Sequence, residues 1–225
     1  RLRLDVRLHL VTERPFHLAG AVHSVVDGLL AGTAPSTLRA IAEELEREGY
    51  ALRLSRDLET SRRHMKRRYD DDPNARFGMI ASSRDRDLAR FGVPNDWNST
   101  KRLRYGPWFV EGDEDRLGRS CRELRECVTE FGCQGLELDG ALLAWRTDLL
   151  RDAGVWGVRR SRRYQDPTRI HDGFQLRLNA YRVLLTRARD GVVVFVPPIH
   201  ILDETYEYLK EAGFRDLEDF SSGEG

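Results

Sequence analysis

The chain has 225 residues, in which 37 Lys and Arg balance 37 Asp and Glu, with 40% hydrophobic and 33% charged residues. That supplies a core for one α/β domain, and the zero net charge excludes a simple electrostatic sponge for nucleic acid, which needs a large basic excess. No run of 18 apolar residues and no charged-then-apolar segment occurs; these residues therefore hold no membrane-spanning helix and no secretory signal, and a cytoplasmic protein without a membrane partner is expected.

Short apolar or β-branched runs alternate with helical stretches, the βα order of a mostly parallel sheet. The run at 4–11 (LDVRLHLV) alternates like a strand, and 18–31 reads as a helix with Val22, Val25, Val26 and Leu29 on one face. A helix over 36–48 has Ser36 as its expected N-cap and Gly49 just past its end. After a strand at 50–54, the helix 57–69 begins with Asp57 and Glu59 and ends in arginines, matching the helix dipole at both ends. A strand at 77–82 precedes residues 92–120, which have no clear period and are rich in Gly, Pro, Asn and Trp, as an inserted or functional segment would be. Strands are expected at 126–129 and 140–145, a second irregular stretch at 150–173, a helix at 174–188, a strand at 191–196 and a helix at 203–212. The expected fold class is α/β, a mostly parallel sheet flanked by helices. One domain spans 1–214, with irregular insertions at about 92–120 and 150–173, and a polar tail fills 215–225.

Cys121, Cys127 and Cys133 lie six apart, neither a metal-binding CxxC pattern nor a disulfide framework. The His residues show no ligand spacing, so no metal site is expected. Of the basic residues 34 are Arg and three are Lys (Lys66, Lys101 and Lys210). Arg is the better bidentate binder of phosphates and bases, although genome composition alone produces the same bias. The chain opens at Arg1 without Met, straight into a strand-like run, and reads as a piece of something longer.

Two segments carry chemistry. In the first, Thr129-Glu130-Phe131-Gly132-Cys133-Gln134-Gly135-Leu136-Glu137-Leu138-Asp139, a Gln-Gly-Leu-Glu turn precedes an apolar strand; strand edges of open α/β sheets are where ligands collect. An ordinary loop with a permissive glycine is the plainer reading. In the second, residues 179–191 (NAYRVLLTRARDG) lead into VVVFVP. At 100° per residue, Ala180, Tyr181, Leu184, Leu185 and Ala188 share an apolar face, with Arg182 and Arg189 on the far face and Arg187 at the flank.

Taken together, these segments resemble motifs V and VI of superfamily 1 helicases, roughly T-x-H-x-x-[KQ]-G-L-E-[FL]-D and Y-V-A-L-T-R-A-[KR]. The longer strings NAYRVLLTRARDGVVVFVP and DETYEYLKEAGF, with YALRLSRDLETSRR and FGMIASSRDRDL, resemble the bacterial DNA/RNA helicase family related to the Schlafen group-3 helicase domain. The likeness covers about residues 50–214 and fits 1–49 more loosely. It implies a RecA-like domain of the P-loop NTPase type. Such motors hold ATP and Mg²⁺ between two lobes, the first carrying G-x-x-x-x-G-K-[ST]. That string does not occur here, so the chain is similar to the second lobe alone. It would work beside the N-terminal RecA-like lobe of the same protein, which would bind most of the ATP and Mg²⁺; by itself the chain is not expected to hydrolyse ATP.

By the resemblance, Arg187 is the arginine finger, Glu137 bonds the nucleotide ribose, and Gln134 with Gly135 forms the turn coupling nucleotide to track. Thr129 contacts a phosphate of single-stranded DNA or RNA. Ser83 and Arg84, after the strand at 77–82, fall where a backbone-contacting loop belongs. Arg14 is the nearest candidate for a second γ-phosphate arginine, and Arg160 and Arg162, in a basic cluster between the motifs, are candidates for phosphate contact. Phe131 replaces the motif V histidine; it is either core, the preferred reading, or a base-stacking ring. The tryptophans 97, 108, 145 and 156 divide the same way, core being preferred. The leading function is thus the C-terminal lobe of an ATP-dependent helicase or translocase. The alternatives are a helicase-like nucleic-acid-binding or regulatory module without unwinding, and an unrelated α/β domain.

Overall fold

The computed structural model describes residues 16–85, 87–113, 117–161, 170 and 172–221. The expected strand at 4–11, together with Arg14 and Arg162, lies outside them. Eight helices and eight strands follow in chain order among the described residues: α1 (Phe16–Ala31), α2 (Pro35–Arg47), β1 (Ala51–Ser55), α3 (Leu58–Arg68), β2 (Phe77–Ala81), α4 (Trp97–Arg102), α5 (Tyr105–Val110), β3 (Cys127–Thr129), β4 (Leu138–Ala144), β5 (Leu150–Asp152), β6 (Val155–Gly157), α6 (Gly173–Leu185), β7 (Ala188–Phe195), α7 (Asp203–Glu211), β8 (Arg215–Asp216) and α8 (Leu217–Ser221). Six strands form one sheet in the order β3-β2-β4-β7-β1-β8, and every pairing in it is parallel. Helices cover both faces, which is why β2, β4 from Ala141 and β7 from Val192 are buried runs without a charged residue.

Alternate strand residues serve the two faces. Leu52, Leu54, Ile80, Ala141, Leu143, Val192 and Val194 pack with the buried residues of α1, α2, α6 and α7. Met79, Ala81, Leu142, Ala144, Val193 and Phe195 pack with Leu58 and Met65 of α3, Tyr69 just past its end, and Leu217 of α8. This is the two-residue period of a strand buried on both sides. Such an α/β sheet is the fold class the sequence implies for a RecA-like domain.

Local chemistry sets most boundaries. Asp57 caps α3, its carboxylate accepting from the Thr60 amide at 2.6 Å. Gly49 takes φ +91° after α2, as expected of a C′ glycine. Ser36, expected as the α2 cap, is instead inside the helix: Pro35 occupies the first turn, where its fixed φ fits, and Ala34 is the cap residue. The segment 92–120 is less irregular than expected, since α4 and α5 lie in it. The stretch from 150 begins with the antiparallel hairpin β5–β6. Helix α6 ends at Leu185, three residues before the expected end, and β7 starts at Ala188. Ala188 and Arg189 are therefore strand residues. Residues 215–221, expected to begin a polar tail, add a short edge strand and a helical turn.

Inside β7, Gly191 sits at φ +146°, opposite Ala51 of β1 and Gly140 of β4. A Cβ there would collide with the Ala51 carbonyl oxygen and lie 2.8 Å from the Ala51 nitrogen. Backbone strain and overpacking of two central strands then act together. Gly191→Ala is expected to lose about 2–5 kcal/mol of unfolding free energy in urea titrations; a midpoint equal to that of the parent chain would contradict this packing.

Candidate functional site

Parallel strands aim all their carboxyl ends at one edge of the sheet, and here the loops after β2, β3 and β4 converge on one buried cation. Arg177, on α6, is 3% exposed. Its Nη1 donates to Asp148 Oδ2 at 3.0 Å and to Ser82 Oγ, while Nη2 donates to Glu130 Oε1 at 3.2 Å. Ser82 Oγ donates in turn to Asp148, and Tyr181 OH donates to Asp148 Oδ1 at 2.6 Å. Glu130 accepts from the Ser83 amide at 2.7 Å and from Ser83 Oγ at 2.8 Å. Asn95 ties the same loop down, its Nδ2 donating to the Ser82 carbonyl at 2.9 Å. Asp85 is buried beside this cluster; burial first, and then the Asp148 carboxylate, push its carboxyl well above the usual carboxylate range, against the opposing pull of Arg146.

Next to the cluster opens a cleft of about 460 Å³ lined by Ser83, Arg84, Asn95, Trp97, Thr100, Thr129 and Phe131. Thr129 is buried at its base, and Trp97 and Phe131 are each 65% exposed. Phe131 is therefore not the core residue expected of it. Loop 130–135 turns its ring outward, because Gly132 seats against the ring of Tyr105 and Cys133 takes the buried position. The preferred reading holds for Trp108, Trp145 and Trp156, all buried, and fails for Trp97.

At the opposite, amino edge of the sheet lie the remaining residues of the two segments. Arg187 follows α6 and precedes β7, half-buried. Its Nη1 donates to the Leu136 carbonyl at 3.0 Å, and its own carbonyl accepts from the Leu138 amide at 3.2 Å, so the two motif-like segments are stitched together reciprocally. Arg187 Nε is buried and has no hydrogen-bond partner among the described residues. Gln134, Gly135 (φ +81°) and Glu137 are exposed beside it. Arg189 pairs with Asp139 rather than lying on a helix face with Arg182, whose partner is Asp27. Leu138 is level with Ala188, and Ala144 is level with Ala81, itself level with Thr129. The six steps of β4 thus separate Arg187 from Thr129 by about 20 Å along the strands.

The structure thus sorts the sequence-predicted residues into two groups, Thr129, Ser83 and Arg84 at one edge and Gln134, Gly135, Glu137 and Arg187 at the other. Arg160 is exposed beyond β6 and does not line the cleft. Sequence reasoning passed over Arg177, Glu130, Asp148 and Asp85. One signal was available: Arg177 precedes Tyr181 by four residues and shares the apolar face of α6, where an arginine needs buried carboxylates to answer it. Among the described residues no group of three or more His, Cys, Asp or Glu is placed to hold a metal ion, and no helix is long and apolar enough to cross a membrane.

Two outcomes follow from the Arg177 cluster. Arg177→Met leaves Glu130 and Asp148 buried without their cation and is expected to cost about 3–5 kcal/mol in urea unfolding; a loss below about 1 kcal/mol would show that the carboxylates do not depend on it. For Asp85, the unfolded carboxyl ionises near 3.8 while the folded one holds its proton to higher pH. Above that pH the native state carries the extra proton, so stability falls as pH rises, by about 1.4 kcal/mol per unit until the folded value is passed. Asp85→Asn removes this slope, and the difference in unfolding free energy should move in favour of the Asn protein from about pH 4 upward. A difference that stays flat with pH would contradict the burial argument.

No curated protein and no solved structure matches the chain. A match to the family described as Schlafen group 3, DNA/RNA helicase domain, covers residues 6–198 and so takes in both segments, every strand of the sheet but β8, and helix α6. The chain belongs to the Schlafen group 3 DNA/RNA helicase domain family.

Proposed function

We propose that the chain is the C-terminal RecA-like lobe of an ATP-dependent DNA or RNA helicase or translocase, contributing Arg187 to the nucleotide and the Thr129–Ser83–Arg84 edge to the nucleic-acid track. The observation that carries this reading is the partition of the two segments: residues suited to a nucleotide lie at the amino edge, those suited to a strand backbone lie at the carboxyl edge, and loop 129–137 runs from one to the other. Family membership supports the helicase-related part of it.

The amino edge suits a polyphosphate. Arg187 offers a half-buried planar cation at this edge, oriented by the bond from its Nη1 to the Leu136 carbonyl. Pointed at a transferred phosphoryl group, a guanidinium stabilises the negative charge that develops on its oxygens. Glu137 and Gln134, exposed alongside, offer an acceptor and an amide for ribose hydroxyls. ATP, bound mainly by an N-terminal lobe, would supply the free energy of phosphoryl transfer. Mg²⁺ would likewise be held mainly by that lobe, and the part of this one is to hold and orient. Coupling runs through loop 129–137: Leu136 bonds Arg187 at one end, while Glu130 bonds Ser83 at the other.

A second reading, a helicase-like binding or regulatory module that does not unwind, is favoured by one observation, that Arg187 is bonded back onto the Leu136 carbonyl. Both readings place a nucleic acid on the carboxyl edge and differ in turnover. In the intact two-lobe protein, Arg187→Ala is expected to leave ATP affinity within a few-fold while lowering nucleic-acid-stimulated hydrolysis by about 10³ or more. Hydrolysis near that of the parent protein would remove the finger and leave the binding module.

A further inference from the structure

Two large aromatic rings stand exposed in one cleft of a chain whose three other tryptophans are 9% exposed or less. We infer that Phe131 and Trp97 are stacking surfaces for unpaired bases, so that the carboxyl-edge cleft binds single-stranded nucleic acid through its bases as well as its phosphates. The inference rests on the track assigned above to this edge and names what that assignment leaves open, namely which part of the strand is held.

The lining has the chemistry of a nucleotide's surroundings. Around the two rings stand three hydroxyls (Ser83, Thr100 and Thr129), the Asn95 amide and the Arg84 guanidinium, and among the described residues no carboxylate lines the cleft. Glu130, the acid next in the chain to both Thr129 and Phe131, is turned away, its oxygens accepting from Ser83 and Arg177. A polyanion therefore meets the Arg84 cation and polar oxygens there, while the Ser83, Thr100 and Asn95 donors are engaged by Glu130, Asp96 and Ser82; the volume of about 460 Å³ falls within the range of small-ligand sites. An exposed ring presents a π-face to any base, and a base offers its own face only when it is unpaired and splayed from its neighbours. Duplex is excluded by that geometry.

Both rings are also held in place, which lowers the entropy lost on stacking. Phe131 lies between Glu130, clamped by Arg177, and Gly132, seated on Tyr105. Trp97 opens α4 directly after the Asp96 cap, whose carboxylate accepts from the Asn98 and Ser99 amides. The Lys101 ammonium lies over one face of the Trp97 ring, 4.3 Å from its centre, so a base would stack on the other face.

The test compares two labelled strands of equal length by fluorescence anisotropy with the 225-residue chain, an oligothymidylate and an abasic strand with the same phosphates, and repeats the first as ribose. The parent chain should bind the base-bearing strand more tightly than the abasic one. Phe131→Ala and Trp97→Ala should each weaken the base-bearing strand by about 5- to 150-fold per lost stack and leave the abasic strand unchanged. Phe131→Tyr and Trp97→Phe should restore binding, since they keep a ring. Arg84→Ala should weaken both strands and flatten the salt dependence by about one ion. Both ring positions are exposed, so the alanine chains should keep the parent circular dichroism. If the alanine variants bind bases as tightly as the parent while Arg84→Ala is weak, the stacking role is overturned and the track stands. If the parent binds neither strand, the inference and the track fall together.

Discussion

Arg177 is where the loops following β2, β3 and β4 meet, and the shape of the carboxyl edge depends on it. Its guanidinium, removed from water, would be costly alone; Asp148 and Glu130 would be equally costly without it. Together with Ser82 and Tyr181 they form a network in which the donors of one group face the acceptors of the next. The consequence reaches the surface, because Glu130 fixes Ser83 on one side and, through the chain, Phe131 on the other. The cleft is thus an outward expression of a buried ion cluster.

The same helix that brings Arg177 to this edge delivers Arg187 to the other. Thirteen helical residues at about 1.5 Å each span about 20 Å, the distance over which β4 separates the two edges. Loop 129–137 makes the crossing a second time, with Thr129 and Glu130 at one end and Leu136 at the other. Two independent covalent paths therefore join the edges, each held at both ends by polar contacts. Any displacement of Arg187 bears on the Leu136 carbonyl and the last turn of α6 together.

The strands most easily read in the sequence are those buried on both faces. β2, β4 and β7 are near-continuous apolar runs, and no helix-period reading competes with them. Their starts were harder to place: β7 begins at Ala188 because its first residues pair with the β4 register, a tertiary fact invisible in TRARDG. The six-residue helices α4 and α5 are too short to be stable from local propensity; they persist through contacts such as buried Trp108. The hairpin β5–β6 turns at Ala153 and Gly154, both at positive φ, and alanine is a poor advertisement for such a turn. The two motif-like segments were legible because their order and flanks constrain one another. The exposure of Phe131 was not, since it follows from a tyrosine 26 positions earlier in the chain. The role of Arg177 is hidden for a related reason: on an apolar face a charged residue looks like an interruption, and its partners lie 29 and 47 residues away in the chain.

The chain between β2 and β3 has the look of an ornament in the sequence, yet Tyr105 supports loop 129–137 at Gly132, Trp108 is buried in the core, and Arg122 donates to the carbonyls of Asp72 and Ala75 just ahead of β2. It behaves as an abutment. Anyone designing a minimal version of this domain would find that trimming the segment removes one wall of the cleft and the seat of the loop behind it. Differences in length or sequence within this stretch would accordingly register as changes in what the cleft accepts, while the sheet beneath stayed the same.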